Sequence, residues 1–586
     1  MKRLPYATAV FAVLAGFSAC TDGDVEDGEN DAFPSGKADG GIDEGSPEAL
    51  GVLKLVNDGA ETAATLKSGA GVSTRVANNI VKHRDGADGA AGTADDDKFD
   101  TLAELDAVPY VGPATLNALL ERARDKGYVG GAVKLDVMFS PLPAANSHNA
   151  RIAQLIRTAQ HNIDIAIYSY SDAGIAAALK DRADHGVKVR FIFDTAAEDR
   201  KLTDPAARAA SKSGRIEAQG IDVRWVSKTM HHKFVLIDGP RDVRDYASTA
   251  KLVMGSANWS AGAATDFDEN TLFIEGSAEL MASFQHEFDT LWLGSRDFVG
   301  PAASQGQSTV KILPTEVADD AGIEPLFTSN NFTAGGPDGT TWRVDRAKMQ
   351  MTDAWNAAIG RATTSIHIAT THMRLRPFVE KLIAVKQAKP NLDIKVYLDQ
   401  QEYISPSGDT AQRTDLDACI AAATTETQRL NCLYNDFLFS KMLVDAGITL
   451  RLKSYAYRWD YTYAFQMHSK YMVVDGKELL TGSFNASMNS EQATFESGLH
   501  IFGTQFSALI SKYEQNFTSI WDTGRTELAG LRTKIMNDAT IPIVFPSMAL
   551  TYQEFGDLRA LIRTSCPAVD SAEFRDNAAA HRTCTK

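Results

Sequence analysis

A chain of 586 residues exceeds what one hydrophobic core organises and implies two or three domains. Its 44% hydrophobic and 23% charged content excludes a disordered or membrane-spanning chain and fits a soluble globular one. The formal charge of −16 is concentrated: residues 21–50 hold ten acids and one Lys, and residues 85–100 hold six Asp and one Lys. The main body is therefore close to neutral, and the net charge excludes neither lipid nor nucleic acid as a partner.

In chain order, "MKRLPYATAVFAVLAGFSAC" sets Lys2 and Arg3 before an apolar run, with small residues before Cys20. Residues 1–20 are thus a secretory signal pattern. Ending on Ser18-Ala19-Cys20 and followed by polar chain, it resembles a bacterial lipoprotein signal. That resemblance implies a lipidated Cys20 and an exported protein anchored at the cell envelope, on the outer membrane or cell surface. Phe17 departs from the aliphatic residue usual there, so cleavage near Ala19 and simple secretion is the alternative. Residues 21–50 are predicted to be an acidic flexible tether.

Residues 51–129 predict a small all-α module, with helices in "GVSTRVANNIVKHR" and "FDTLAELDAVPYVGPATLNALLERARDKG". From Val108, "VPYVGPATLNALL" resembles a helix-hairpin-helix element, with Gly112 in the tight turn. Such hairpins present backbone N–H groups to phosphate, which makes DNA a candidate partner of this module. The alternative is a packing or protein-contact role. The Asp/Gly loop 85–100 is a Ca²⁺ candidate by composition, but it lacks EF-hand spacing, and a solvated acidic loop is the preferred reading.

From residue 133, helices and strands alternate. "IAQLIRTAQ", "NIDIAIYSY", "IAAALKDRADHG" and "VKVRFIFD" return as "WNAAIGRAT", "SIHIATTH", "FVEKLIAVKQA" and "DIKVYLD". Each series leads to one motif: "MHHKFVLIDG" from Met230 and "MHSKYMVVDG" from Met467. "GSANWS" follows the first and "GSFNAS" the second, with Glu269 and Glu496 in register after them. The chain therefore contains two copies of one α/β domain, predicted at 133–300 and 301–525, the second with an insertion at 400–467. Residues 526–586 are left as a C-terminal extension.

The copies differ in two loops. "GPRDVRDYAS" after Asp238 is extra in the first and predicts a surface hairpin. The insertion in the second is expected near the pocket mouth. It ends in "YAYRWDYTYAF", whose alternating aromatics would share one strand face, turned to lipid or packed into the core. Five cysteines are present; Cys20 apart, Cys419 with Cys432 and Cys566 with Cys584 form two local couples. In an exported protein these predict disulfides, the alternative being buried thiols. No cysteine spacing suggests a metal site.

Period-2 geometry puts His231 and Lys233 on one strand face, and His468 and Lys470 on another. Brought together about a pseudo-twofold axis, two His, two Lys and two Asn suit a phosphate, one His attacking phosphorus and the other protonating the departing oxygen. No metal or cofactor is required.

His-x-Lys-x4-Asp followed by Gly-Ser-x-Asn, twice, resembles the phospholipase D superfamily over about residues 133–525. The resemblance implies two α/β/α sandwich lobes sharing one active site. It implies His231 as nucleophile and His468 as general acid. The site set is His231, Lys233, Asp238, His468, Lys470 and Asp475. Ser256, Asn258, Ser483 and Asn485 are assigned to holding and orienting the phosphate, and Glu269 and Glu496 to orienting the histidines. The two motif aspartates are more often structural in such proteins, and His232 faces away. The implied reaction is phosphodiester hydrolysis, on phospholipid at a membrane surface to phosphatidic acid and head-group alcohol. "IDIAIYSYSD" and "MHHKFVLIDG" also resemble the cardiolipin-hydrolase and endonuclease branch, so a metal-independent nuclease acting on DNA is the alternative. A non-catalytic surface binding protein is the alternative of another class. Both motifs lie in one chain, so a monomer suffices.

Overall fold

A computed structural model describes residues 42, 44, 47–126, 128–129, 133–194, 196–317, 322–566 and 582–585. The signal, Cys20 and nearly all of the tether before Pro47 lie outside the described residues. Among the described residues no helix is long and apolar enough to cross a membrane.

The helical module begins at Pro47–Asn57 and continues through Ala63–Ala70, Thr74–Arg84, Leu102–Asp106 and Pro113–Asp125. It buries its own core, including Val52, Leu55, Leu66, Ile80, Leu105 and Leu119. Thr62, Ser73 and Thr101 each accept a backbone N–H at a helix start, so the sequence sets these ends chemically. The second turn is not closed as expected. Gly112 is extended (φ −173°), and Tyr110 (φ 74°) takes the left-handed position. In the acidic loop, Asp95 accepts from the N–H of Ala87 and Asp88, and Asp96 from those of Gly92 and Thr93. These carboxylates cap their own loop.

Two eight-stranded sheets follow, with the same strand order and senses. In the first, Lys134–Ser140, Glu269–Glu275, Lys251–Gly255, Lys233–Ile237, Asn162–Ile167, Lys188–Phe193, Asp222–Trp225 and Arg296–Asp297 lie side by side. In the second the order is Ile323–Phe327, Ser497–Phe502, Glu478–Gly482, Lys470–Val474, Ser365–Thr370, Asp393–Asp399, Thr449–Ala456 and Val544–Thr551. In each sheet the motif strand is antiparallel to the strand that opens its series. That strand is parallel to the next one, reached through the crossover helix Ala173–Asp184 or Arg376–Ala388.

Each lobe has an outer core, and a third core lies between them. This shared core takes Phe284, Phe288 and Trp292 from the helix Ala278–Leu293, and Tyr513, Phe517 and Trp521 from its counterpart Ser507–Trp521. The motif strands are buried along their whole length, so both are fixed from two sides.

Three expected boundaries shift. Residues 526–566 are not a separate extension: the strand Val544–Thr551 forms the edge of the second sheet beside Thr449–Ala456. The segment 400–467 is only partly an insertion. The helix Ser440–Asp445 and the strand Thr449–Ala456 are framework, matching Lys212–Glu217 and Asp222–Trp225 in lobe 1. The added part is the helix pair Pro406–Ala422 and Glu426–Leu433, joined by the Cys419–Cys432 disulfide (Cα–Cα 5.8 Å). Cys566–Cys584 is also formed (Cα–Cα 5.7 Å) and ties Thr583–Thr585, paired with Thr540–Pro542, to the chain just past the helix Tyr552–Arg563. The stretch after Asp238 is no hairpin. Its Arg244–Ser248 part is a 3₁₀ turn, and Pro240 and Arg241 are buried beneath it.

The aromatic run also departs from expectation. The strand ends at Ala456, and Asp460 accepts the N–H and hydroxyl of Thr462 to close a turn. Tyr455, Tyr457 and Tyr463 are buried, while Tyr461 is 84% exposed. The run does not form one face.

Candidate active site

Each motif begins against the other lobe. Thr229–Met230 pairs in parallel with Thr494–Phe495, and a bridge joins Met467 to Asp268. His231 N donates to Phe495 O at 3.0 Å, and His468 N to Asp268 O at 2.9 Å. Each histidine is thus hung on the backbone that immediately precedes the other lobe's glutamate. The side chains follow: His231 Nδ1 lies 2.8 Å from Glu496 Oε2, and His468 Nδ1 lies 2.7 Å from Glu269 Oε1. The two glutamates are exchanged between lobes. A carboxylate only accepts, so each Nδ1 carries the proton and each Nε2 is the atom left for chemistry.

The serines of Gly-Ser-x-Asn hold these acids. Ser256 Oγ donates to Glu269 Oε2 at 2.6 Å, and Ser483 Oγ to Glu496 Oε2 at 2.5 Å. They therefore act on the histidines through the glutamates, and the direct phosphate contact assigned to them is withdrawn. The glycine before each serine is required by close approach. Gly255 and Gly482 have φ near 155°, and a Cβ there would meet the Asn270 or Ser497 carbonyl at 2.3 or 2.2 Å.

Lys233 and Lys470 are buried and fold back on their own motifs. Their Nζ atoms donate to His231 O at 2.8 Å and His468 O at 2.6 Å. Lys470 Nζ also donates to Thr371 Oγ1 at 3.2 Å. The Oδ1 atoms of Asn258 and Asn485 are buried without a partner, in matching places of the two lobes. The arrangement gathers two cations beside the paired imidazoles; the unpartnered amide oxygens only accept, so any hold of these asparagines on a phosphate would come from their Nδ2–H groups.

Burial shapes the protonation. It pushes Lys233 down to about 7 and Lys470 to about 8, and raises both Glu269 and Glu496 to about 7. Burial and then the two lysines hold both His231 and His468 well below the ordinary imidazole value. A neutral His231 has a free Nε2 lone pair. An anion entering between the lysines would stabilise a protonated His468.

Asp238 and Asp475 leave the catalytic set. Both take left-handed backbone (φ 51° and 55°) at the far end of the motif strands. Asp238 accepts the N–H groups of Gln160, His161 and Asn162, and Asp475 those of Thr363, Thr364 and Ser365 with both threonine hydroxyls. They staple the motif strand to the start of the neighbouring strand. His232 faces away as expected, with Nε2 3.0 Å from Glu287 Oε1.

Several residues escaped the motif reading. Asp194 accepts from Met230 N at 2.8 Å and Asp399 from Met467 N at 3.0 Å, fixing the entry to each histidine. Burial raises both carboxyls, Asp194 to about 6. Their signal was present, since each Asp ends the same strand of its repeat ("RFIFD", "KVYLD"). Tyr168 stands 4.9 Å from the His231 ring and beneath Lys233. His372 and Glu402 are described below.

The family model "Cardiolipin synthase, PLD-like domain" matches residues 152–292 and 356–521, together more than half of the chain. The chain belongs to this phospholipase D-like family. Within the family, the mitochondrial cardiolipin hydrolase of Xenopus tropicalis is 29% identical over 154 residues, 26% of this chain and 64% of that protein. That of Danio rerio is 29% identical over 217 residues, 33% of this chain and 86% of that protein. The match thus spans 64% of the first of these relatives. Among solved structures, phosphatidylserine synthase of Haemophilus influenzae is 13% identical, covers 76% of this chain and 97% of its own, and has a TM-score of 0.42.

Proposed function

We propose that the protein is a phospholipase D-type phosphodiesterase that hydrolyses phospholipid to phosphatidic acid and the head-group alcohol. The observation that carries this reading is the exchanged pair of His–Glu contacts, which leaves two imidazoles aimed by their Nδ1 atoms beside two buried lysines. Phospholipid is favoured because the curated relatives are named cardiolipin hydrolases, and because the signal pattern would deliver the enzyme, anchored at Cys20, to a membrane.

His231 Nε2 attacks phosphorus as the bond to the leaving alcohol breaks, and His468 Nε2–H gives that oxygen its proton. Lys233, Lys470, Asn258 and Asn485 hold the non-bridging oxygens in a water-poor pocket. His468, now neutral, takes a proton from water, whose oxygen attacks phosphorus. The phosphorus–nitrogen bond breaks, its electron pair returns to His231, and a phosphate monoester departs.

The test incubates the protein with EDTA on mixed phospholipid vesicles and on single- and double-stranded DNA, with His231→Ala as control. Phosphatidic acid formed only by the parent protein supports the reading. DNA cleavage with intact lipid overturns it in favour of a nuclease, with residues 51–129 as the candidate DNA grip. Turnover by His231→Ala excludes the mechanism.

A further inference from the structure

The two lobes place different residues where the strand paired with the motif runs into the site. In lobe 1, Ile167 stands opposite Lys233 and is followed by Tyr168, Ser169, Tyr170 and Ser171. In lobe 2, Thr370 stands opposite Lys470 and is followed by Thr371, His372, Met373 and Arg374. The backbone after each strand is held alike: Ser171 N donates to Trp259 O, and Arg374 N to Ala486 O. Ser169 and Ser171 therefore correspond to His372 and Arg374.

His372 repeats the geometry of the catalytic histidines. Its Nδ1 lies 2.8 Å from Glu402 Oε1, and Glu402 is 1% exposed. Arg374 binds the same oxygen through Nε at 2.9 Å and Nη2 at 2.8 Å. Glu402 Oε2 also accepts from Met373 N, and Ser440 Oγ donates to the Glu402 carbonyl at 2.6 Å, so the acid is fixed. One buried carboxylate thus serves both an imidazole and a guanidinium. Asp436, 3.7 Å from Arg374 and largely exposed, offsets the guanidinium weakly; Asp399 is occupied by Met467 N and the Tyr455 hydroxyl. His372 is partly open, and it stands near enough to His468 to act on it electrostatically. Nothing in the catalytic cycle uses it.

We propose that His372, backed by Arg374 on Glu402, is a subsite for a second anionic group of the substrate, a phosphate or carboxylate on the alcohol that His468 protonates. This rests on the phosphodiesterase reading for which alcohol leaves, but anion binding at the subsite does not depend on turnover. The lobe 1 side, with serines in these places, has neither imidazole nor guanidinium there, so the two ends of the diester are told apart by it.

Calorimetry on the full chain measures the subsite directly. Glycerol 1,3-bisphosphate and phosphoserine, each with two anionic groups, are compared with glycerol 1-phosphate and phosphoethanolamine. The parent protein prefers the first pair, and His372→Gln lowers that preference about tenfold, toward one. His372→Ser, which gives lobe 2 the lobe 1 residue, does the same and covers the case in which the Gln variant misfolds. Loss for the bisphosphate alone or for phosphoserine alone identifies the second group as phosphate or carboxylate. No preference in the parent, or equal loss for all four ligands, overturns the subsite. Hydrolysis of vesicles containing cardiolipin, phosphatidylserine or phosphatidylethanolamine is read in parallel. Absence of turnover on all three with the calorimetric preference intact would remove the lipid reading and leave the subsite standing.

Discussion

The two lobes hold the same motif residues in the same framework, yet they approach the site differently. Lobe 1 goes from Asp194 to His231 through short helices, whereas lobe 2 goes from Asp399 to His468 through a disulfide-tied helix pair and an aromatic loop. Lobe 1 presents Tyr168 and two serines beside its motif; lobe 2 presents Thr371, His372 and Arg374. Duplication supplied a symmetric centre for attacking and leaving oxygens. Divergence around it gives the two sides of that centre different residues. The exchanged glutamates add a further consequence: neither lobe orients its own histidine, so the unit of activity is the pair.

The comparison breaks most decisively at the histidines. His231→Ala is expected to lose on the order of 10⁴-fold or more in kcat on any diester. His468→Ala loses about 10²–10⁴-fold in turnover on both ester types, because His468 also activates the water of the second step, but the first-turnover burst on a 4-nitrophenyl ester, whose leaving group departs without a proton, is far less affected. Burst and steady-state rates on both substrates check this, and the opposite pattern would exchange the roles of the lobes.

The crossing of the glutamates is tested next. Glu496→Gln, in lobe 2, is expected to resemble a weakened His231, with about 10²-fold loss on both ester types. Glu269→Gln, in lobe 1, should mimic His468→Ala and spare only the first-turnover burst on the 4-nitrophenyl ester. If each Gln variant instead matched the histidine of its own lobe, the exchanged arrangement would be wrong.

A pH profile sharpens the electrostatic side. Lys233 at about 7 and Lys470 at about 8 must be charged to hold phosphate, so kcat/KM should fall as pH rises through 7 to 8. An ordinary lysine pair would keep its charge to about pH 10. The acidic limb should lie below 6.5, because burial and the lysines depress His231. A flat profile up to pH 9 would show that both lysines keep ordinary values in the pocket.

The stapling aspartates give a smaller effect, on stability. Asp475→Ala removes an acceptor of three N–H groups and two hydroxyls, whereas Asp238→Ala removes an acceptor of three N–H groups only. Each is expected to cost about 1–3 kcal/mol, with Asp475 the costlier, while kcat per folded molecule is retained. The hydrogen bonds hold the Asp475 carboxyl well below its usual range. Its contribution is therefore present above the unfolded value of about 3.9 and is lost as pH falls toward the folded one. Thermal unfolding at neutral and acid pH measures both.

How far these features were legible in the sequence follows from the physics of each. His231 with Lys233 and His468 with Lys470 were readable because strand alternation fixes their common face. The two-lobed fold was readable because the same helix–strand series recurs before each motif. The exchange of Glu269 and Glu496 was not, because periodicity fixes a face but not the lobe that lies opposite. The edge strand Val544–Thr551 was hidden by Pro546 inside it, which an edge tolerates and a central strand does not. The aromatic run misled in the opposite sense: its alternation imitates a strand, while the Asp460 turn within it ends one. His372 had no periodic signal, since its role depends on Glu402, 30 residues later.

That aromatic loop carries the smallest predicted effect and the last difference between the lobes. Trp459 and Tyr461 meet edge to face at 4.4 Å, and Tyr461 stands out into solvent. Tyr461 lies close enough to Tyr168 to contribute, after burial and Asp194, to raising its phenol, so the loop of lobe 2 reaches the His231 side of the site. An exposed tyrosine backed by tryptophan at the mouth of the proposed phospholipid site is suited to the interfacial layer of a bilayer. Tyr461→Ala is expected to lower the rate on vesicles about fivefold and to leave the rate on a monomeric short-chain phospholipid nearly unchanged. Equal loss on both would place Tyr461 in the catalytic pocket instead, packed on Tyr168 to shape the approach to His231.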